Sequence, residues 1–461
     1  MMKWFPRLFS KNSAEHPSRS REDHVMRPSA LKGAGADTAT SSLPRFHGSA
    51  ADRMHATRAT PLDRARFRLR SAFTPSQPII DARMFAGRAQ VLRTLIRSIE
   101  DQLLHVVLYG DRGVGKTSLL HVLTSLAREA RYIVRYASCG EETEFSDMFR
   151  AIAKDIPLLF HADYAPTSEE SEEGRSLADL LPDGQVTVPQ LTDLFAKISG
   201  TRVLIVLDEF DRAHSHAFRR SIAELIKNLS DRSIRVQLVV AGVASNLNEL
   251  IEHIPSIRRN ILGLQVPRMT GSEIEELVHN GEAVCGLTFD PEAISLVTAV
   301  AYGSPYIASL LSQHAGLSAI DRKAKTVGRI DVTNAISQAV NEIVQRVSAK
   351  SLHYIARAKT DGHERNLGLI ARAALHAGGR LTAEQVEIIL DSSGSANDYL
   401  EKLRTEYGLV EKVHEDPGEA YQFVEEGVPV FLWMQLAQVL LTGEQGSRKS
   451  LDALLASLAE H

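Results

Sequence analysis

Cysteine is scarce. Cys139 and Cys285 are the only two in 461 residues, too few for a disulfide framework, which predicts a reducing, cytoplasmic setting. Long apolar runs are missing as well. The longest, Phe431 to Leu441, is about half of the ~20 residues a membrane-spanning helix needs, so no span is expected. No basic start leading into an apolar run and a small-residue cleavage site is found near Met1, so export is not expected either. Neither charge sign dominates, with 53 Lys and Arg against 57 Asp and Glu and a formal net charge of −4. Secreted, collagenous and membrane-spanning classes are thereby excluded. What remains is an ordinary balance of 44% hydrophobic and 24% charged residues, enough for packed cores in two or three domains.

The near-neutral total conceals an asymmetry. Residues 1–75 hold 14 Lys and Arg against 6 Asp and Glu, and the remainder holds 39 against 51. A basic leader on an acidic body is either a solvated tail or a binder of an anionic partner. Residues 1–75 are rich in Ser, Ala, Arg and Pro without a sustained hydrophobic period, which predicts a disordered tail. Within it, Trp4, Phe5, Leu8 and Phe9 beside Lys3 and Arg7 fit a membrane surface or a partner groove, although the stretch is too short to anchor alone. Arg64, Arg66, Arg68 and Arg70 alternate with Ala65, Phe67 and Leu69, and either contact phosphates or stay solvated.

From about residue 79 element types alternate. Apolar spacing predicts a helix over Ala89 to Glu100 and strands over His105 to Tyr109, Tyr132 to Tyr136, Val203 to Leu207, Val236 to Ala241 and Ile261 to Val266. Strands separated by helices predict an α/β fold with a parallel, three-layer sheet over 76–269. Ser168 to Gly174 reads as an acidic surface loop. A helical subdomain is expected over 270–348, opened by a Thr270–Glu273 capping box, with Asp290-Pro291 starting one helix and Asp331 to Val347 forming another. Helices near 367–378, 382–390 and 396–406, followed by strands Leu409 to Val413 and Ala420 to Val424, predict a winged-helix domain over 349–442. Residues 443–461 are read as a terminal tail or helix.

Gly110-Asp111-Arg112-Gly113-Val114-Gly115-Lys116-Thr117 fits the phosphate-binding loop, with a strand before it and a helix after it. Its glycines let backbone N–H groups curl around a polyphosphate at a helix N-terminus. Lys116 is expected to reach the β- and γ-phosphates and Thr117 to ligate Mg²⁺. Val203 to Leu207 then ends in Asp208-Glu209: Asp208 for Mg²⁺ and Glu209 as general base toward water. The strand at 132–136 lies between the two motifs in sequence, which points with Glu209 to the additional-strand class of P-loop ATPases. Ser245 or Asn246, after the strand at 236–241, is either a γ-phosphate contact or a helix cap. Arg258, followed by Arg259, is either an arginine finger into a neighbouring subunit or an exposed arginine. His253, His214 and His216 lack a ligand set at metal spacing.

Together these residues resemble the AAA+ ATPases of the origin-recognition-like branch and the related STAND NTPases, over about 80–440. Phe85-Ala86-Gly87-Arg88 is similar to the Gly-Arg box that precedes the nucleotide fold in these families. Leu247 to Arg258 is similar to the sensor-to-finger segment of bacterial ATP-binding proteins of this group. The resemblance implies ATP and Mg²⁺ as cofactors, and no guanine-reading Asn-Lys-x-Asp follows the acid strand. It also carries a departure: the lid helix begins Gly303-Ser304-Pro305-Tyr306, without the Gly-x-x-Arg arginine. It is closer to the STAND Gly-x-Pro motif, whose Pro305 equivalent packs near the nucleotide. Without that cation hydrolysis is expected to be slow.

Winged helices often bind DNA, yet residues 361–440 carry 6 Lys and Arg against 14 Asp and Glu, and the wing tip reads Glu415-Asp416. That acidity disfavours duplex binding. The expected function is a slow ATP-hydrolysing switch coupled to self-association or a protein partner. The alternatives are a DNA-associated ATPase of replication, transposition or defence, which uses the basic tail or the winged helix, and a nucleotide-binding scaffold without turnover.

Overall fold

A computed structural model describes residues 60–79, 84–164, 174–244, 246–247, 250, 257–377, 379–390, 396–415 and 418–442. Residues 53–461 form one compact unit, and the other, Met1–Asp52, lies outside the described residues. So do the aromatic stretch at 1–9, the acidic loop up to residue 173, Ser245, His253, the Asp416 wing tip and the segment 443–461.

The nucleotide-type core is built on five parallel strands: β1 (His105–Gly110), β2 (Ile133–Ser138), β3 (Val203–Asp208), β4 (Val236–Val243) and β5 (Ile261–Gln265). Their order is β2-β3-β4-β1-β5. The acid strand β3 is therefore separated from the loop strand β1, as expected, but by β4. The earlier strand β2, which lies between the motifs in sequence, sits at the sheet edge instead. Side-chain alternation explains the layers. Val203, Ile205 and Leu207 enter one apolar cluster, while Leu204 and Val206 enter the other, as a strand buried on both faces requires.

The first helix, α1 (Pro61–Ala72), packs away from this sheet, in the apolar cluster of the helical segment that follows it. Flanking the sheet, in chain order, are α2 (Ala89–Glu100), α3 (Lys116–Glu129), α4 (Phe145–Lys154), α5 (Val188–Ala196) and α6 (His216–Asp231). Leu95 of α2 and Leu119 of α3 fill the cluster on one face. Phe149, Leu191 and Ile222 of α4, α5 and α6 fill the other.

The first helix corrects the expectation of disorder up to residue 75. Thr60 and Asp63 form a capping box, Thr60 N donating to Asp63 Oδ2 at 2.9 Å, with Pro61 as the first helical residue. Arginines at every second position hide a helical three- and four-residue apolar spacing, because Ala65, Leu69 and Ala72 face inward. Phe73 and Leu69 are fully buried, and Arg66 pairs with Asp321. A Cβ on Gly281 would meet the Phe73 ring at 2.0 Å, so that glycine lets the ring in. Phe73→Ala is expected to destabilise the protein by about 3–5 kcal/mol, as a lowered midpoint in urea unfolding. An unchanged midpoint would show that α1 is dispensable.

Helices α7 (Gly271–Cys285), α8 (Pro291–Ala301), α9 (Pro305–Asp321) and α10 (Arg329–Ile343) follow, with a two-residue parallel pair, β6 (Thr288–Phe289) and β7 (Thr326–Val327), between them. The Thr270–Glu273 box is present, as is the Asp290 cap with Pro291 first in the helix. α10 begins two residues before Asp331 because that buried carboxylate caps it, accepting from Gly328 N at 2.9 Å. It ends at Ile343, where a 3-10 turn over Val344–Arg346 takes over.

The C-terminal part comprises α11 (Ala349–Thr360), α12 (Glu364–His376), β8 (Arg380–Leu381), α13 (Ala383–Leu390), α14 (Ala396–Thr405), β9 (Val410–Glu415), β10 (Gly418–Phe423) and α15 (Gly427–Thr442). Its antiparallel sheet has the order β8-β10-β9. One helix, a short strand, two helices and a hairpin over 364–423 are the winged-helix arrangement expected. The apolar run Phe431 to Leu441 belongs to α15, which buries Phe431, Trp433 and Met434. No helix among the described residues is long and apolar enough to cross a membrane.

Candidate phosphate and magnesium site

β1 ends at Gly110, whose φ of 149° and closeness to the Val266 carbonyl exclude a side chain: a Cβ there would sit 2.6 Å from that oxygen. The chain then curls back to Gly115, the left-handed residue at φ 91° that starts α3. The first intrahelical bond is accepted by Gly115 O from Leu119 N at 3.0 Å. The first-turn N–H groups of α3 thus have no acceptor within the helix and face its N-terminal end with the positive dipole.

Lys116 is buried, and its Nζ donates to Gly110 O and Asp111 O, each at 2.8 Å. Burial lowers its pKa to about 8, against the opposing pull of Asp211, Asp208 and Asp111. A bound polyphosphate favours the charged amine and raises that value. Binding should therefore take up a proton, and affinity should weaken as pH rises above about 8, by up to about tenfold per unit. Calorimetric titrations at pH 7 and pH 9 measure this, and equal affinities would contradict it.

Two oxygens for a hard cation lie beside the amine. Thr117 Oγ1 donates to Asp208 Oδ2 at 2.9 Å, and Asp208 is buried at the end of β3. The Tyr136 hydroxyl donates to the same carboxylate oxygen, and burial with that bond raises the Tyr136 pKa. Glu209, next along, adopts φ 54°, a left-handed conformation that is costly for a residue with a Cβ and is retained mainly at functional positions. Its Oε2 accepts from Ser138 Oγ at 3.0 Å and Arg212 Nη1 at 2.9 Å. Asp211 Oδ1 accepts from Val243 N at 2.8 Å, tying the end of β4 to this corner. Cys139 is nearby, its thiol pushed up to about 12 by burial and by Asp208, Asp211 and Glu209.

From the other side comes the start of α9. A Cβ on Gly115 would lie 3.5 Å from Pro305 Cγ, and one on Gly113 would lie 3.8 Å from Ser304 Oγ. Pro305 is thus against the loop. Gly87 N donates to Glu276 Oε2 at 3.0 Å and Arg88 N to Glu273 Oε1 at 3.1 Å, which joins the Gly-Arg box to α7. The structure brings Gly110 to Thr117, Asp208, Glu209 and Pro305 together. Val114 is buried beneath the loop, and the exposed Arg112 reaches across to pair with Glu426. Asn246 and Arg258 are exposed positions between β4 and β5.

Sequence reasoning missed Tyr136, Ser138, Asp211 and Arg212, and also Arg268, whose Nε lies 3.3 Å from Asp111 Oδ2 of the loop. Asp211 and Arg212 follow Asp208-Glu209 after Phe210 alone, so their charge was a usable signal. Tyr136 and Ser138 alternate on β2 and had none.

A family model described as novel STAND NTPase 1 matches residues 72–358, more than half of the chain. The chain belongs to that family. A comparison with curated proteins finds no match. Similar solved structures include Cdc6p from Pyrobaculum aerophilum, 16% identical, covering 81% of this chain and 98% of that one with a TM-score of 0.43. The Aeropyrum pernix Orc1 protein in complex with DNA is 18% identical over 81% of this chain and 96% of that one, at a TM-score of 0.42. The Thermotoga maritima RuvB Holliday junction branch migration motor is 15% identical over 74% and 93%, at 0.39. Membership in a STAND NTPase family is carried by the family match.

Proposed function

We propose that this STAND NTPase is a slow, Mg²⁺-dependent ATP-hydrolysing switch whose nucleotide state governs self-association or capture of a protein partner. The observation that carries the reading is the convergence of a buried Lys116, the Thr117–Asp208 oxygen pair and Pro305 on one helix N-terminus. The residues fit ATP and Mg²⁺. The loop N–H groups from Gly110 to Thr117 and the Lys116 amine would hold the phosphates, and Thr117 and Asp208 would hold the metal, which when bound supplies charge neutralisation at the phosphates. Glu209 orients and deprotonates water, while Ser138 and Arg212 hold its carboxylate ready. Asn246 is assigned to the γ-phosphate and Arg258 to a neighbouring subunit's nucleotide. The segment opening α9 supplies proline in place of an arginine, which favours slow turnover.

Switch behaviour is supported by links between the loop and the C-terminal part. Arg112 pairs with Glu426, and Arg346 Nη1 donates to the Tyr306 hydroxyl at 2.8 Å. Residues 270–348 and 349–442 are the parts we assign to move. A duplex reader is disfavoured because the cations around α14 are already engaged: Arg404 with Glu401, and Lys412 with Glu419 and Glu401. Steady-state ATP hydrolysis with and without duplex DNA at two salt concentrations, run beside light scattering, tests the reading. The expected result is slow turnover indifferent to DNA, with a mass that changes between ADP and ATP. Stimulation by DNA that salt removes would favour the DNA-associated ATPase instead.

A further inference from the structure

The chain lacks the lid arginine, yet an arginine reaches the phosphate loop from elsewhere. Arg268, in the connection from β5 to α7, lies with Nε 3.3 Å from Asp111 Oδ2, and both side chains are mostly buried. Its Nη1 donates to the Tyr302 carbonyl at 3.2 Å. One guanidinium thus spans the phosphate loop and the turn that leads into Gly303-Ser304-Pro305. Tyr302 itself is held at φ 48° as the cap of α8, a left-handed conformation that a non-glycine residue keeps only under restraint from its surroundings.

The ring of Tyr302 carries the restraint onward. The Arg372 guanidinium of α12 sits 4.6 Å over the Tyr302 ring and 5.2 Å over the Trp433 ring of α15. Trp433 is anchored in turn, Nε1 donating to Val300 O at 2.9 Å. Arg372 is 7% exposed, and its Nε has no hydrogen-bond partner among the described residues. A buried cation without a carboxylate is costly, and here the two aromatic faces are its compensation. Moving either ring removes that compensation.

We propose that Arg268 is the positioning residue through which bound nucleotide acts on the C-terminal part, by way of the Tyr302–Arg372–Trp433 clasp. Phosphates arriving beside Asp111 draw the Arg268 guanidinium off the Tyr302 carbonyl. The Tyr302 turn then relaxes, its ring leaves Arg372, and α12 and α15 are released from α8. The inference rests on the nucleotide reading above.

Trp433 supplies the readout, since the chain has two tryptophans and Trp4→Phe leaves it alone. In that background, Mg²⁺-ATP is expected to move Trp433 emission to longer wavelength as water reaches the indole, with binding read separately by calorimetry. Arg268→Ala, which removes the bond to the Tyr302 carbonyl, should emit at the longer wavelength before nucleotide is added and so lose the shift, while its affinity falls far less than that of Lys116→Ala, and Arg268→Lys should restore part of the shift. Arg372→Met, its fold checked by circular dichroism, should show the longer-wavelength emission before nucleotide is added. A full shift in Arg268→Ala, or bound Mg²⁺-ATP with unchanged emission in the parent, overturns the inference alone. No binding in the parent overturns the nucleotide reading and this inference with it.

Discussion

Replacing Lys116 with alanine is expected to weaken ATP binding by about 10²–10³-fold, the largest loss of any single change in this chain. The amine is buried between two backbone carbonyls, each 2.8 Å away. Deleting it leaves those carbonyls facing incoming phosphate oxygens with no cation between them. Removing one member of a buried charged pair costs about 3–5 kcal/mol, and 1.4 kcal/mol is a factor of ten in affinity. Lys116→Arg is not a rescue, because the planar guanidinium presents its donors in a rigid fork where the site holds one compact ammonium. Calorimetric titration with Mg²⁺-ATP decides the matter. Unaltered affinity in Lys116→Ala would remove the loop from the nucleotide site.

Glu209→Gln should separate binding from chemistry. A positioned general base contributes about 10²–10⁴-fold to a rate, so turnover should fall by that range while ATP affinity stays near the parent's. The neutral amide still accepts from Ser138 and Arg212, whose atoms lie 3.0 and 2.9 Å from Oε2, so local structure should survive. What is lost is the capacity to take a proton. Single-turnover hydrolysis with prebound ATP measures the step directly. Equal rates in the two proteins would leave Glu209 a structural acid and favour a nucleotide-binding scaffold. Asp208→Asn should behave differently, because Asp208 accepts from Thr117 and Tyr136 and its loss weakens the metal site before any chemistry.

Legibility differed from residue to residue for physical reasons. The phosphate loop could be read because its chemistry lies in consecutive positions: glycines where the backbone must turn left-handed, then Lys116 and Thr117 at the first turn of a helix. Asp208 and Glu209 could be read because an apolar strand that ends in two acids places them at the C-terminal end of the sheet. Tyr136 and Ser138 could not, since they reach the acids only through the pairing of β2 with β3. Pro305 was readable as a motif, but its contact with Gly115 depends on how α9 meets the loop. The helix at 61–72 was misread because alternating arginines imitate a strand or a solvated run, whereas Ala65, Leu69 and Ala72 pack against α7 and α9.

Local order in this protein is set by short-range rules that the sequence states by itself. Caps such as Thr270–Glu273, the two-residue and the helical apolar periods, and the glycine pattern of the loop determined the α/β core, the helical segment, the hairpin and the binding chemistry. Only the tertiary structure decided which strand separates β1 from β3, and that Arg268, Tyr302, Arg372 and Trp433 meet. Those residues span positions 268 to 433, and nothing in the neighbourhood of any one of them encodes the others. A buried arginine between two rings becomes favourable only after three helices have already packed.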